Sequence, residues 1–280
     1  MHLPQYDLKE TLLGGQAFNF DFDGEYFYGF TQKKTIKLRI DVGAGRDQPL
    51  LYWQTYPEKD DIEFVKSYLR LDINYQNVLK EIQKDRYVKS AVKKYPNLRL
   101  LRQDFEQTLL SFLISSNNNI ASIRKIIRMM NRKFGKSVSV NKEKIFLFPE
   151  TEVIADAKLE DLLKCKLGFR AKFLKTAAKH ILETNLSKEI VKMSEDKARS
   201  RLKEIKGVGD KITDCVLVFS LGFDNVTPLD IWGKRICTRF YGLSPKTSYE
   251  VMRSWIMSYF GNYTAWAGQF LYEYIRHLKR

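Results

Sequence analysis

One stretch constrains this chain more than any other: Leu202–Lys234, LKEIKGVGDKITDCVLVFSLGFDNVTPLDIWGK. It reads as a helix, a tight turn at Lys206-Gly207-Val208-Gly209, a second helix, a short loop and the start of a third helix. Two glycines one residue apart supply the φ > 0 freedom that a sharp hairpin needs, and they let another molecule's backbone come close. Ile212, Cys215, Val216 and Phe219 then recur at helical spacing, and Gly222 stands where a helix ends. Exposed N–H groups at the mouth of the second helix attract anions, phosphate above all.

Two side chains add possible chemistry to this grip. Lys211 lies in the first turn of the second helix, where the positive end of the helix dipole disfavours an ammonium ion and favours a nucleophilic amine. Asp230 follows Thr227-Pro228-Leu229 at the position that caps the helix beginning at Ile231. A carboxylate held near a reacting sugar can stabilise an oxocarbenium-like transition state. Taken singly, a solvated lysine and an ordinary N-cap aspartate account for both.

Charge points to the kind of partner. The chain has 48 Lys+Arg against 33 Asp+Glu, a net +15 and a pI near 9.5. That balance suits a polyanion, and nucleic acid before a membrane, because no basic amphipathic anchor or spanning apolar run stands out. The three scattered cysteines fit neither a disulfide framework nor a zinc or iron–sulfur spacing, which suggests a reducing cytoplasm. The opening MHLPQYDLKE lacks the apolar core of a signal sequence, and His2, His180 and His277 suggest neither a metal site nor a triad.

Residues 1 to about 56 read as strands. Phe18, Phe20 and Phe22 alternate with polar residues, Asp23-Gly24 makes a turn, and Tyr26, Tyr28 and Phe30 resume the alternation. Ile36, Leu38 and Ile40 continue it, Gly43-Ala44-Gly45 marks a loop, and Leu51–Tyr56 gives a last strand. From Asp60 onward the period becomes helical. The expected fold is therefore α+β. A small N-terminal antiparallel β-sheet domain with connecting helices (1–97) precedes a mostly α-helical region (98–280), with the helix-hairpin-helix at about 198–222. Two further stretches are strongly basic. Ser111–Pro149 holds eight basic residues and one acid around the turn Ser115-Ser116-Asn117-Asn118-Asn119, and Lys164–Lys179 holds six basic residues and no acid around Gly168-Phe169-Arg170.

Together, KGVGDKITDC and TPLDIW closely resemble the helix-hairpin-helix DNA glycosylases with associated lyase activity, and look most like the 8-oxoguanine DNA glycosylases (Ogg family) in their prokaryotic form. The resemblance covers nearly the whole chain and implies an active site in the cleft, with Lys211 as nucleophile and Asp230 stabilising charge at the sugar. It implies that the backbone carbonyl of Gly15, in Leu13-Gly14-Gly15-Gln16-Ala17-Phe18, meets the oxidised base. That lesion carries a hydrogen on N7 where guanine has a lone pair, so one fixed carbonyl accepts from the first and repels the second. Cys215 and Tyr272 would sandwich the flipped base, and Asn117 would fill the gap it leaves. Phe169 would wedge into the opposite strand while Arg170 bonds the orphaned base. Gly207, Gly209 and Trp232 would lie against phosphate.

Three departures from the family pattern stand out. Ser122 replaces an Arg that reads the orphaned cytosine, which implies looser choice of opposite base. Gly268 takes the place of a Gln that reads the base edge, leaving Gln269 one residue away. Trp232 replaces a His that touches phosphate. The reading is a monomeric, cytoplasmic base-excision-repair enzyme acting on double-stranded DNA that contains 8-oxoguanine, with no metal or other cofactor. Two alternatives stay open: a glycosylase of the same superfamily for another damaged base, and a non-catalytic DNA-binding module.

Overall fold

The first described element is helical. Asp7 caps α1 (Leu8–Leu13), accepting from the Glu10 amide at 2.9 Å, and Leu8, Thr11 and Leu12 are buried on one face. The expectation of strands throughout residues 1–56 is corrected here, because a local N-cap and an i, i+3, i+4 apolar face favour a helix. This computed structural model describes residues 6–41, 49–58, 60–140 and 143–278, so the loop expected at Gly43-Ala44-Gly45 lies outside the described residues.

The alternating aromatic stretch forms the expected antiparallel meander: β1 (Phe20–Phe22), β2 (Phe27–Phe30), β3 (Thr35–Asp41) and β4 (Leu50–Tyr56), paired in that order. Phe20, Ile36, Leu38 and Leu51 form its core together with Leu12 of α1 and with Val65 and Tyr68 of α2 (Ile62–Tyr68).

The larger core is helical. It gathers α3 (Tyr75–Ile82), α4 (Arg86–Lys94), α5 (Phe105–Ile114) and α6 (Ile120–Phe134), followed by a hairpin of β5 (Ser137–Val140) and β6 (Glu143–Phe146). Then come α7 (Thr151–Asp156), α8 (Leu159–Lys164), α9 (Arg170–Glu183), α10 (Leu186–Ile190), α11 (Glu195–Lys203), α12 (Asp210–Phe219), α13 (Ile231–Tyr241), α14 (Tyr249–Phe260) and α15 (Thr264–Arg276). Every residue of α5 except Glu106 is buried, as is α12 from Ile212 to Phe219, so these two helices form the centre. Phe112 stacks on Phe219 between them, with ring centroids 5.6 Å apart. One tie crosses from the N-terminal half to the loop before α13: buried Arg70 forks onto Asp224 with two bonds of 2.8 Å, and Trp266 donates to the same carboxylate. Removing one partner would strand a charge at a cost of about 3–5 kcal/mol.

Candidate active site

The hairpin forms between α11 and α12. Gly207 has φ +97°, and a Cβ there would lie 2.7 Å from Cγ of Phe173, so both conformation and space require glycine. Gly209 departs from expectation. Its backbone is extended (φ −98°, ψ −178°), and an added Cβ would meet nothing within 4 Å. Its use is therefore the open space at the mouth of α12, not φ > 0. The two alanine variants should behave differently. Gly207→Ala should lower Tm, because left-handed backbone alone costs a non-glycine residue about 1–2 kcal/mol. Gly209→Ala should cost under about 1 kcal/mol as an N-cap change, and should weaken duplex binding if the mouth of α12 receives phosphate as the sequence implies. Thermal melts and DNA titrations of both variants check this. Ser194 occupies the N-cap position of α11, but its side chain makes no capping bond.

A buried polar cluster fixes the hairpin's pose. Asp214, fully buried on α12, is bonded by Arg199 of α11, by Tyr249 of α14 at 2.5 Å and by Arg253 at 3.4 Å. The Tyr249 hydroxyl also accepts from the Leu229 amide at 3.3 Å. One phenol thus ties the helix carrying Lys211 to the loop carrying Asp230, a link with no periodic signature in the sequence.

The C-terminus of α5 meets the N-terminus of α12 at the floor of a cleft of about 1270 Å³. There Lys211 Nζ donates to Ser115 Oγ at 3.0 Å and lies 5.0 Å from the Phe112 ring centroid. The Asn-rich turn therefore begins with the residue that holds the amine, a role its composition did not announce. Asp230 caps α13 with one oxygen only: Oδ1 accepts from the amides of Trp232 (2.8 Å) and Gly233 (3.0 Å), and Oδ2 has no donor among the described residues. Cys215 lines the same floor. Burial pushes its thiol up to about 11, against the opposing pull of the Lys211 charge. It is a neutral, polarisable wall, and the half-buried amine of Lys211 is the stronger candidate nucleophile.

Gly15, Tyr272 and Gln269 also line this cleft. Gly15 has φ +103°, and a Cβ there would lie 2.8 Å from Ile120 Cδ1 and 3.3 Å from the Tyr272 hydroxyl. Gly268 packs face-on against the Thr227-Pro228-Leu229 loop, where a Cβ would sit 2.1 Å from Thr227 Oγ1. A glutamine at 268 cannot stand on this backbone. Gln269 is buried, and its Nε2 has no partner among the described residues.

At the cleft mouth Asn117 is exposed and left-handed, with φ +49°. Arg170 over-determines that strained turn, donating to the carbonyls of Ser116 (2.7 Å) and Asn117 (2.9 Å). Neither Phe169 nor Arg170 lines the cleft itself. Phe169 is 55% exposed beside it, and the Arg170 fork is spent on the Asn turn in this structure. The Ser122 amide donates to Asn119, which caps α6. Trp232 is half-buried at the start of α13, under the Arg235 guanidinium.

Comparison with known proteins assigns the family. Residues 110–260 match the family model described as HhH-GPD superfamily base excision DNA repair protein. The chain belongs to that superfamily. Residues 2–109 match the 8-oxoguanine DNA glycosylase N-terminal domain, which places the chain in the Ogg branch. It is 26% identical to the N-glycosylase/DNA lyase OGG1 of Arabidopsis thaliana, over 95% of this chain and 76% of that protein. It is 25% identical to the N-glycosylase/DNA lyase of Saccharomyces cerevisiae, over 86% of this chain and 70% of that protein. The solved 8-oxoguanine glycosylase/lyase of Clostridium acetobutylicum, bound to double-stranded DNA with cytosine opposite 8-oxoguanine, superposes with a TM-score of 0.87. Identity is 27%, over 97% of this chain and 92% of that one. Among the described residues no helix is long and apolar enough to cross a membrane.

Proposed function

We propose that this Ogg-family enzyme excises 8-oxoguanine from double-stranded DNA and then cuts the strand, with Lys211 as the nucleophile. The observation that carries the residue assignment is the meeting of the Lys211 amine, the free Oδ2 side of Asp230 and the Gly15 backbone around one cleft. The free amine of Lys211 attacks C1′ of the flipped nucleotide. The N-glycosidic electron pair leaves with the base, which takes up the proton the amine gives away. Asp230 stabilises the positive charge that builds at the sugar. The C1′–O4′ bond then opens, O4′ taking up a proton, to give a protonated Schiff base. This acidifies C2′–H, and loss of that proton expels the 3′ phosphate by β-elimination. Tyr272 and the neutral Cys215 supply the walls for the base. The +15 charge and the open mouth of α12 serve the phosphate backbone. We infer a cytoplasmic setting beside chromosomal DNA in a prokaryote, and action as a monomer.

The deciding experiment is borohydride trapping on duplexes carrying 8-oxoguanine, alkylated bases or preformed abasic sites. A covalent adduct with the first and third but not the second supports the reading. Trapping on alkylated bases alone would assign a different lesion.

Opposite-base choice should be loose. Ser122 is too short to fork onto a base edge, a contact worth about 1–3 kcal/mol, and Arg170 must release two carbonyls before it can read one. Single-turnover excision opposite A, G and T is expected to approach the rate opposite C, and Ser122→Arg to sharpen the preference for C. A wild-type preference for C that Ser122→Arg leaves unchanged would remove this position from the choice.

A further inference from the structure

The backbone around Gly15 is held in an unusual way. Arg124 of α6 donates through Nη2 to the Leu13 carbonyl at 3.2 Å, and Arg276 of α15 donates through Nη1 to the Gly14 carbonyl at 2.7 Å. Gln103 donates to the Gln16 carbonyl at 2.6 Å, while the Gln16 side chain bonds the Arg99 carbonyl (2.8 Å) and the Leu101 amide (2.9 Å). The carbonyls at 13, 14 and 16 are therefore all taken. The Gly15 carbonyl between them has no donor among the described residues, and Gly15 lines the cleft. Three neighbouring carbonyls held by side chains, and one left open at a residue that lines the cleft, single out Gly15 as the available acceptor of this turn among the described residues.

Arg276 is itself anchored. Glu273, one turn back on α15 and only 1% exposed, holds its guanidinium at 3.1 Å, and the guanidinium carbon lies 5.0 Å from the Tyr272 ring centroid. One side chain thus ties the Gly14–Gly15 turn to the helix that carries the opposite wall of the base pocket. Arg124 ties the same turn to α6, the helix that the Asn turn begins.

We propose that Arg124 and Arg276 are positioning residues for lesion discrimination: by fixing the carbonyls of Leu13 and Gly14 they aim the Gly15 carbonyl at the N7–H of the oxidised base. This rests on the reading of the cleft as an 8-oxoguanine site. The physical demand is angular. A hydrogen bond weakens steeply when misaligned, and with φ +103° at a glycine there is no Cβ to limit rotation of that peptide. The restraint must come from the neighbouring carbonyls. A guanidinium presents its N–H donors in fixed directions within one plane, which a rotating ammonium does not.

Arg276→Lys and Arg124→Lys keep the charge that attracts DNA and remove the planar, directed N–H donors. Single-turnover excision is measured on a duplex with 8-oxoguanine opposite C, and strand cleavage on the same duplex with a preformed abasic site, which has no base to recognise. In each variant excision should fall roughly tenfold to a hundredfold, the effect of one misaimed hydrogen bond. Abasic cleavage should fall at least about tenfold less. Equal falls in both reactions, or unchanged excision in both variants, overturn the proposal. If Arg276→Lys loses its melting transition because Glu273 is left poorly paired, Arg124→Lys decides alone. A wild-type protein that cleaves abasic sites but leaves 8-oxoguanine in place would instead sink the substrate reading, and with it the aim assigned to Gly15.

Discussion

Lys211→Gln is expected to bind lesion duplexes as the wild type does, while base release and borohydride trapping fall by a factor on the order of 10⁴ or more, the scale of nucleophile deletions. The fold should tolerate the change. Lys211 Nζ donates to Ser115 Oγ at 3.0 Å on the cleft floor, a contact worth about 1 kcal/mol. Nor can Cys215 take over. Burial already pushes that thiol up to about 11, and the Lys211 charge is one of the influences holding it down, so removing the charge moves the thiol further from its reactive form. A thiol adduct would in any case give no imine for borohydride to reduce. Single-turnover excision, trapping and DNA titration on one preparation check all three statements. Undiminished trapping in Lys211→Gln would remove this residue from the mechanism.

Periodicity and turn chemistry made much of this molecule legible in advance. Phe20, Ile36, Leu38 and Leu51 do share a core across a meander, and KGVG does turn α11 into α12. Short elements escaped because a helix as brief as Leu8–Leu13 shows a single apolar turn, which a neighbouring run of alternating aromatics outweighs. The β5–β6 hairpin was hidden in the basic run after Ser111, its strands only four residues each. The supporting residues of the site escaped for a different reason. Ser115 meets Lys211 across 96 positions, Tyr249 meets Asp214 across 35 and Arg276 meets Gly14 across 262. Such pairs are set by how α5, α12, α14 and α15 pack, and no local pattern encodes them. Gly268 shows the same limit from the other side. Its departure from the family pattern was visible in the sequence, but its cause, the seat it gives Thr227, appears only in three dimensions.

Asp230→Asn separates the two roles that the sequence left together. Asparagine caps a helix as well as aspartate does, so the Oδ1 bonds to the Trp232 and Gly233 amides should survive, and Tm with them. What disappears is the negative charge on Oδ2, the oxygen that no donor holds among the described residues. If that charge faces the sugar as positive charge develops, base release should fall by about 10²–10³-fold, the usual cost of deleting one preorganised electrostatic contact. Asp230→Ala should show the same kinetic loss together with a drop in stability of about 1 kcal/mol, because it also removes the cap. Single-turnover excision and thermal melts of the two variants give the comparison. Excision in Asp230→Asn within a few-fold of wild type would leave Asp230 as a helix cap and nothing more. The opposite pattern, intact melting with slow excision, is the one this loop is built to give: Tyr249 bonds the amide of Leu229, the residue just before Asp230, and so holds the carboxylate in register with the helix that carries Lys211.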